Sequence, residues 1–72
     1  MKNHNNFTVR EKQVLRLLGD GKSNKEIATD LVICTKTVEF HLANIYFKLD
    51  VRTRTEAVIC IMNSKAKNWG FP

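Results

Sequence analysis

The sequence has few of the residues and patterns that mark several common protein classes. Its two cysteines, Cys34 and Cys60, form neither a CxxC motif nor a disulfide framework, and neither histidine has Cys or acidic neighbours at metal-ligand spacing. We therefore expect free thiols, no metal site, no cofactor and a cytoplasmic protein. There is no secretory signal, and no apolar run approaches the ~18 residues of a membrane span.

Catalytic patterns are absent from the sequence as well. It contains no nucleophile–base pair, no paired carboxylates and no glycine-rich phosphate loop, and short helices leave little room for a deep pocket. We therefore expect a protein that is not an enzyme.

Acidic residues are scarce: seven Asp and Glu stand against twelve Lys and Arg, which gives a formal net charge of +5. This balance suits a polyanion such as DNA, RNA or an acidic membrane surface. A basic surface without any such partner has the same composition. The positions of the charges must decide between these readings.

The 72 residues are enough for one domain with a thin core. A chain of this length buries only ~60% of the surface that its unfolded form exposes, and a partner subunit often adds stability. We expect a disordered polar tail at residues 1–6, a folded domain at 7–67 and a C-terminal tail at 68–72.

Three Ser/Thr-x-x-Glu motifs predict the N-termini of helices. They are Thr8 with Glu11, Ser23 with Glu26, and Thr53 with Glu56. The first helix should end at Gly19-Asp20-Gly21, where glycine permits left-handed backbone geometry. A further helix is expected from about Thr35 to Leu49, and the last one should run to about Lys65. With no strand signal, the sequence predicts an all-α fold of four helices.

The second and third helices are separated only by Val32-Ile33-Cys34. Because this connection is too short for an antiparallel hairpin, the two helices must cross steeply, as in a helix-turn-helix.

At 100° per residue, the third helix has a narrow apolar stripe and a separate outward face. The stripe contains Val38, Leu42, Ile45 and Leu49; the outward face carries Lys36, Glu39, Phe40, Ala43, Asn44 and Phe47. Exposed aromatic residues favour contact with another molecule. Glu39 can accept a hydrogen bond from cytosine, and Phe40 can meet a thymine methyl group. Alternatively, Phe40 or Phe47 packs under a neighbouring helix.

Beside this face, Thr37, His41 and Lys48 form a polar ridge suited to phosphate contacts. Lys25, Arg52 and Arg54 lie at the ends of helices, where they could add further contacts. The alternatives are a half-buried histidine at His41 and ordinary solvated charges at the basic residues.

The fourth helix has two apolar stripes. Ala57, Val58 and Ile61 suit the core, and Thr55, Ile59, Met62 and Ala66 suit a twofold interface. Alternatively, the C-terminal tail with Trp69 and Phe71 folds over the second stripe.

Taken together, the motifs resemble the LuxR/FixJ-type helix-turn-helix. The resemblance rests on FTVREKQVLRLL from Phe7, GKSNKEIA from Gly21, TVEFH from Thr37, and Lys48-Leu49. It covers the chain from about Phe7 to Val58, and the length is similar to small stand-alone regulators of that family.

The resemblance implies a third helix in the major groove of double-stranded DNA, with dimers formed through the fourth helix on inverted repeats. It assigns base reading to Glu39, Phe40 and Ala43, to which the helical wheel adds Lys36 and Asn44. It assigns DNA-backbone contacts to Asn24, Lys25, Thr35, Thr37, His41 and Lys48, and dimer contacts to Thr55 and Ile59. It also suggests an ion pair between Glu11 and Arg54.

The sequence departs from the family in three places. Many members have Lys or Arg where Glu39 and Ala43 stand, and Ser where Cys34 stands. A thiol caps poorly, so Thr35 would share the capping role. We expect Cys34 to be a buried structural thiol.

The sequence therefore predicts a sequence-specific transcription regulator that binds DNA as a homodimer, with RNA polymerase or a second regulator as a further partner. The alternatives are an adaptor that binds another regulator through Ile59 and Met62, and a sigma-factor-like domain.

Overall fold

The computed structural model describes residues 7–64, which form four α-helices and no strand. The helices are α1 (Val9–Gly19), α2 (Asn24–Leu31), α3 (Thr35–Leu49) and α4 (Arg54–Ser64). The predicted all-α class is therefore confirmed. The tails predicted at 1–6 and 68–72, the expected helix end at Lys65, and Ala66 lie outside the described residues.

All three predicted capping boxes are present. In each one the Ser or Thr hydroxyl accepts a hydrogen bond from the backbone N–H of the glutamate, and the carboxylate accepts one from the backbone N–H of the Ser or Thr. The donor–acceptor distances are 3.1 and 3.0 Å for Thr8/Glu11, 3.1 and 2.8 Å for Ser23/Glu26, and 3.1 and 3.2 Å for Thr53/Glu56. Each cap stabilises its helix by about 1 kcal/mol.

The first three helices end in the same way, with a left-handed residue followed by a backbone hydrogen bond that reaches back five residues. The left-handed residues are Gly21 (φ 84°), Val32 (φ 57°) and Asp50 (φ 60°). The bonds join Lys22 N to Leu17 O, Ile33 N to Ala28 O and Val51 N to Tyr46 O, at 3.1, 2.9 and 3.0 Å. These are Schellman motifs, which satisfy the last carbonyls of each helix.

Val32, in the turn between α2 and α3, is the strained member of this set. Left-handed geometry brings Cβ close to the following carbonyl, and a β-branched side chain makes this worse. The side chain is 89% exposed, so it gains little from burial in return. The hydrogen bond from Ile33 N to Ala28 O and the packing of α2 and α3 hold the turn closed.

The core is a single cluster to which every helix contributes. Its apolar members are Phe7, Val14, Leu15, Leu18, Ile27, Ala28, Val38, Leu42, Ile45, Leu49, Ala57 and Ile61. The predicted stripe of α3 is therefore buried as expected, and so are two of the three core residues predicted on α4. Val58, the third, is half-buried against the cluster.

Glu11 is the buried charged residue of this region, with 4% of its surface exposed. One carboxylate oxygen accepts from Lys48 Nζ at 2.6 Å and from the backbone N–H of Thr8 at 3.0 Å. The expected pair between Glu11 and Arg54 is therefore wrong. Lys48 reaches Glu11 from the last turn of α3, and its ammonium lies 5.7 Å from the centre of the Phe7 ring.

Burial alone would raise the pKa of Glu11. The hydrogen bonds from Lys48 and Thr8 and the nearby charges of Lys48 and His41 outweigh it and bring the pKa below its ordinary value of 4.5. The carboxylate is thus held ionised in the folded protein.

Replacing Val32 with Asn should raise the free energy of unfolding by about 1 kcal/mol, because Asn tolerates left-handed geometry and an exposed valine loses few contacts. Chemical denaturation measures the change. Val9→Asn, at a position that is 75% exposed inside a helix, is the matched control and should be nearly neutral. Equal effects of the two substitutions would show that Val32 is not strained.

Replacing Glu11 with Gln should lower the stability at pH 7 by about 1–3 kcal/mol, because Gln keeps the cap but replaces the ion pair with Lys48 by a neutral contact. The folded pKa of Glu11 is lowered, so its stabilisation is complete above about pH 4.5 and is lost as the pH falls through the folded pKa. The difference from the wild type should therefore shrink in acid.

Denaturation between pH 7 and pH 3 measures this trend. Glu26→Gln makes the same change in an exposed capping box and should have a smaller effect at pH 7. A Glu11→Gln deficit that stays constant down to pH 3 would contradict the stabilising ion pair.

Candidate nucleic-acid interface

The outward face of α3 lies opposite its buried stripe, as the sequence predicted. Four of the five residues expected to read bases are exposed, and the fifth is half-buried: Lys36, Glu39, Phe40 and Ala43 in the first group, Asn44 in the second. The small side chain of Ala43 lets another molecule approach the helix closely. One helix thus presents a cation, an anion, an apolar ring and an amide on a single face.

Phe40 does not pack under a neighbouring helix. Its side chain is 64% exposed, and its described ring contact is an edge-on approach to His41, with ring centres 5.7 Å apart. Phe47, in the last turn of the helix, is 71% exposed. Two exposed aromatic rings on one face of a helix are typical of an interaction site.

The residues expected to contact a nucleic-acid backbone surround this face with different degrees of exposure. Lys25, Thr35 and Arg52 are exposed; Asn24, Thr37, His41 and Lys48 are half-buried. Lys25 follows the first residue of α2, where the helix dipole adds to its positive charge. Together they place donors at the start of α2, along one side of α3 and before α4.

Lys48 differs from the other residues expected to contact the nucleic-acid backbone, because its ammonium is already paired with Glu11. An exposed lysine can move freely to a phosphate, whereas this one must leave a buried carboxylate. The sequence offered no sign of this, because the partners are 37 residues apart.

Cys34 is exposed, so the expectation of a buried thiol is wrong. It occupies the N-cap position of α3, and its side chain makes no capping hydrogen bond there. The sulfur lies 3.3 Å from Thr37 Oγ1. That hydrogen bond, with the backbone N–H groups of Thr37 and Lys36, lowers the pKa of the thiol, whereas burial raises the pKa of Cys60.

Arg54, the first residue of α4, makes a contact that the sequence did not predict. Its Nη1 donates to Asn24 Oδ1 at 2.7 Å, and its Nη2 donates to the carbonyl of Lys22. These bonds tie the start of α4 to the start of α2. Arg54 and Asn24 also line a shallow cleft with Glu39, Leu42, Ala43 and Tyr46. Tyr46 was missed because its spacing alone does not distinguish it from a core residue.

The second apolar stripe of α4 is open to solvent over the described residues. Thr55 is exposed, Ile59 is 51% exposed and Met62 is 64% exposed. Ala66 and the tail that could cover the stripe lie outside the described range. Between residues 7 and 64, no helix is long and apolar enough to cross a membrane.

Comparison with known proteins agrees with this geometry. The family model described as bacterial regulatory proteins, luxR family, matches residues 5–61. The transcriptional regulatory protein LiaR of Bacillus subtilis is 48% identical over 56 residues, which are 78% of this chain and 26% of LiaR. DesR of the same organism is 48% identical over 65 residues, 90% of this chain and 31% of DesR. The chain thus spans about a quarter to a third of these regulators.

Two solved structures share the fold. The response regulator ChrA of a heme-sensing two-component system has a TM-score of 0.74 and 38% identity over 81% of this chain and 29% of ChrA. The transcription factor GerE has a TM-score of 0.71 and 34% identity over 82% of this chain and 88% of GerE. The chain belongs to the luxR family of bacterial regulatory proteins and carries its helix-turn-helix DNA-binding domain.

Proposed function

We propose that this protein binds double-stranded DNA sequence-specifically as a homodimer on an inverted repeat and regulates transcription from that site. In the complex, α3 lies in the major groove, and the exposed stripe of α4 forms the twofold interface. The observation that carries the proposal is the outward face of α3, where Lys36, Glu39, Phe40 and Ala43 are all exposed.

Base reading is divided between two chemistries on this face. The Glu39 carboxylate accepts a hydrogen bond from the exocyclic amino group of cytosine, and the Phe40 ring packs against the methyl group of thymine. Both groups are displayed in the major groove, which is wide enough for an α-helix. Lys36 and Asn44 supply donors at the two sides of these residues.

Contacts with phosphates come from residues around the face rather than from its centre. Lys25, Thr35 and Arg52 are exposed at the ends of helices, where each can meet the DNA backbone from a different direction. Further donors come from three half-buried residues, Asn24, Thr37 and His41. Lys48 can join them only when it leaves Glu11.

The twofold interface is proposed on α4 because two large apolar side chains lie there without cover from the described residues. Ile59 and Met62 are one turn apart on the same side of the helix, with Thr55 one turn before Ile59. A self-complementary patch of this kind pairs two copies by a twofold axis. Two recognition helices would then reach adjacent turns of the DNA, which is the arrangement that inverted repeats require.

Replacing Glu39 with Ala should change the preferred base at one position of each half-site, because the acceptor for cytosine is lost. The cost at that position should be about 1–3 kcal/mol, with little change at the others. Selection of binding sites from random DNA, followed by titration of single-base variants, measures the effect. Identical preferences for the variant and the wild type would remove Glu39 from base reading.

Lys25→Ala serves as the contrasting variant in that experiment. It should weaken binding to all sequences alike and lower the slope of log K against log salt concentration by about one. If neither protein retards DNA at low salt, the proposed function itself fails.

Replacing Ile59 with Glu should separate dimerisation from DNA contact, because two buried carboxylates would face each other across the twofold axis. We expect the variant to sediment as a monomer and to lose affinity for the inverted repeat, while it still binds a single half-site as the wild type does.

Val9→Glu makes a similar change on α1, at a residue that is 75% exposed, and should leave both properties intact. An Ile59→Glu variant that still dimerises and binds the inverted repeat would place the interface elsewhere. A monomeric wild type with no preference for inverted repeats would favour the adaptor role for the α4 stripe.

A further inference from the structure

We infer that Arg54 is a positioning residue for DNA binding: it holds the Asn24 side chain by its oxygen, so that the amide nitrogen faces the DNA and donates to a phosphate. The inference rests on the proposed function and adds to it a residue of α4 that does not itself touch the nucleic acid.

The guanidinium of Arg54 contacts the oxygen end of the Asn24 side chain. A guanidinium group has only hydrogen-bond donors, so the atom of Asn24 that it meets must be the amide oxygen. The separation of 2.7 Å between Arg54 Nη1 and Asn24 Oδ1 fits a charge-assisted hydrogen bond. The pairing thus fixes which end of the amide points away from Arg54, and that end is the NH₂ group.

Arg54 also holds the backbone at the start of α2. The other arm of the same guanidinium donates to the carbonyl of Lys22, the residue before the N-cap of α2. Ser23 and Glu26 close the capping box immediately beyond it. The backbone and the side chain at the start of α2 are therefore held together from α4, 30 residues away in sequence.

The pair of Arg54 and Asn24 lies beside the outward face of α3. Asn24 and Arg54 line the same cleft as Glu39 and Ala43, two of the residues proposed to read bases. Asn24 is also the first residue of α2, where free backbone N–H groups and the helix dipole favour an anion. An amide donor aimed from this point complements a phosphate beside the recognition helix. Arg54 and Asn24 are both half-buried.

The decisive variant is Asn24→Asp. An aspartate still accepts from Arg54, so the folded protein should be at least as stable as the wild type, but it offers no donor and turns a negative charge towards the DNA. We expect it to weaken binding more than Asn24→Ala, which should lose about fivefold per half-site. Gln13→Glu, an amide-to-carboxylate change at an exposed position of α1, is the control for added charge.

The role of Arg54 is tested by a double-mutant cycle. Arg54→Ala should weaken DNA binding about as much as Asn24→Ala, and the double variant should lose little more. The salt slope should stay that of the wild type, because neither side chain is proposed to release a counterion. A slope lowered by about one in Arg54→Ala would mean that Arg54 contacts a phosphate directly, and additive losses would mean a merely structural role. Either result overturns the inference.

A readout without DNA keeps this inference separable from the proposed function. In ¹⁵N spectra of the free protein, the side-chain amide signals of Asn24 should shift in Arg54→Ala, while those of Asn44 and Asn63 should not. Unchanged Asn24 signals would overturn the contact. Wild-type binding together with unimpaired binding by Asn24→Asp would overturn the inference and leave the proposed function standing. Absence of DNA binding by the wild type would remove both.

Discussion

The position of α3 depends on one line of aliphatic contacts along its length. Val38 and Ile45 are fully buried, and Leu42 and Leu49 retain only 4% and 6% exposure. At about 1.5 Å per residue, this 15-residue helix is some 22 Å long, and its buried side chains form a single narrow stripe, beside which Tyr46 also packs against the core. The narrow stripe frees the rest of the helix surface for a ligand.

Two polar pairs link helices that are distant in sequence, in addition to the apolar core. Lys48 ties the last turn of α3 to Glu11 on α1, and Arg54 ties the start of α4 to Asn24 on α2. Charge-assisted hydrogen bonds depend strongly on distance and angle, so the first pair helps to orient α3 against α1 and the second helps to orient α4 against α2. The Glu11 carboxylate does this from an almost fully buried position while also capping α1. Protonation of that single group would therefore disturb both the start of α1 and the attachment of α3 to α1.

The elements of the fold could be predicted from the sequence because their signals are local. Capping boxes at Thr8, Ser23 and Thr53 and the period of the α3 stripe involve residues within four positions of each other. Features that depend on tertiary contact could not be predicted in this way. The partner of Glu11 is an example: Lys48 and Arg54 are both distant basic residues in sequence, and only packing decides which one arrives.

Tertiary packing also determines the backbone of Val32 and the exposure of Cys34, which the sequence did not indicate. Val32 is left-handed because the crossing of α2 and α3 requires it there, against the preference of a β-branched residue. Cys34 is exposed because it precedes the first turn of α3, before the buried stripe begins at Val38. In the candidate site, the outward face followed from periodicity, whereas the link between Arg54 and Asn24 joins α4 to α2 across 30 residues and has no sequence signature.

The charge on the proposed reading face has a consequence for how the protein would hold DNA. The charges of Lys36 and Glu39 nearly cancel. The centre of the proposed interface would therefore contribute little of the electrostatic attraction that dominates affinity for DNA. In the proposed complex, attraction would come from the periphery, where Lys25 and Arg52 are exposed, while Glu39 and Phe40 would discriminate between bases. Non-specific binding by a single domain would be weak, since few phosphates are neutralised. Tight binding would require two half-sites occupied together, because linking two domains multiplies their affinities. In the proposed dimer, therefore, the α4 stripe would be as important to the choice of DNA site as α3 itself.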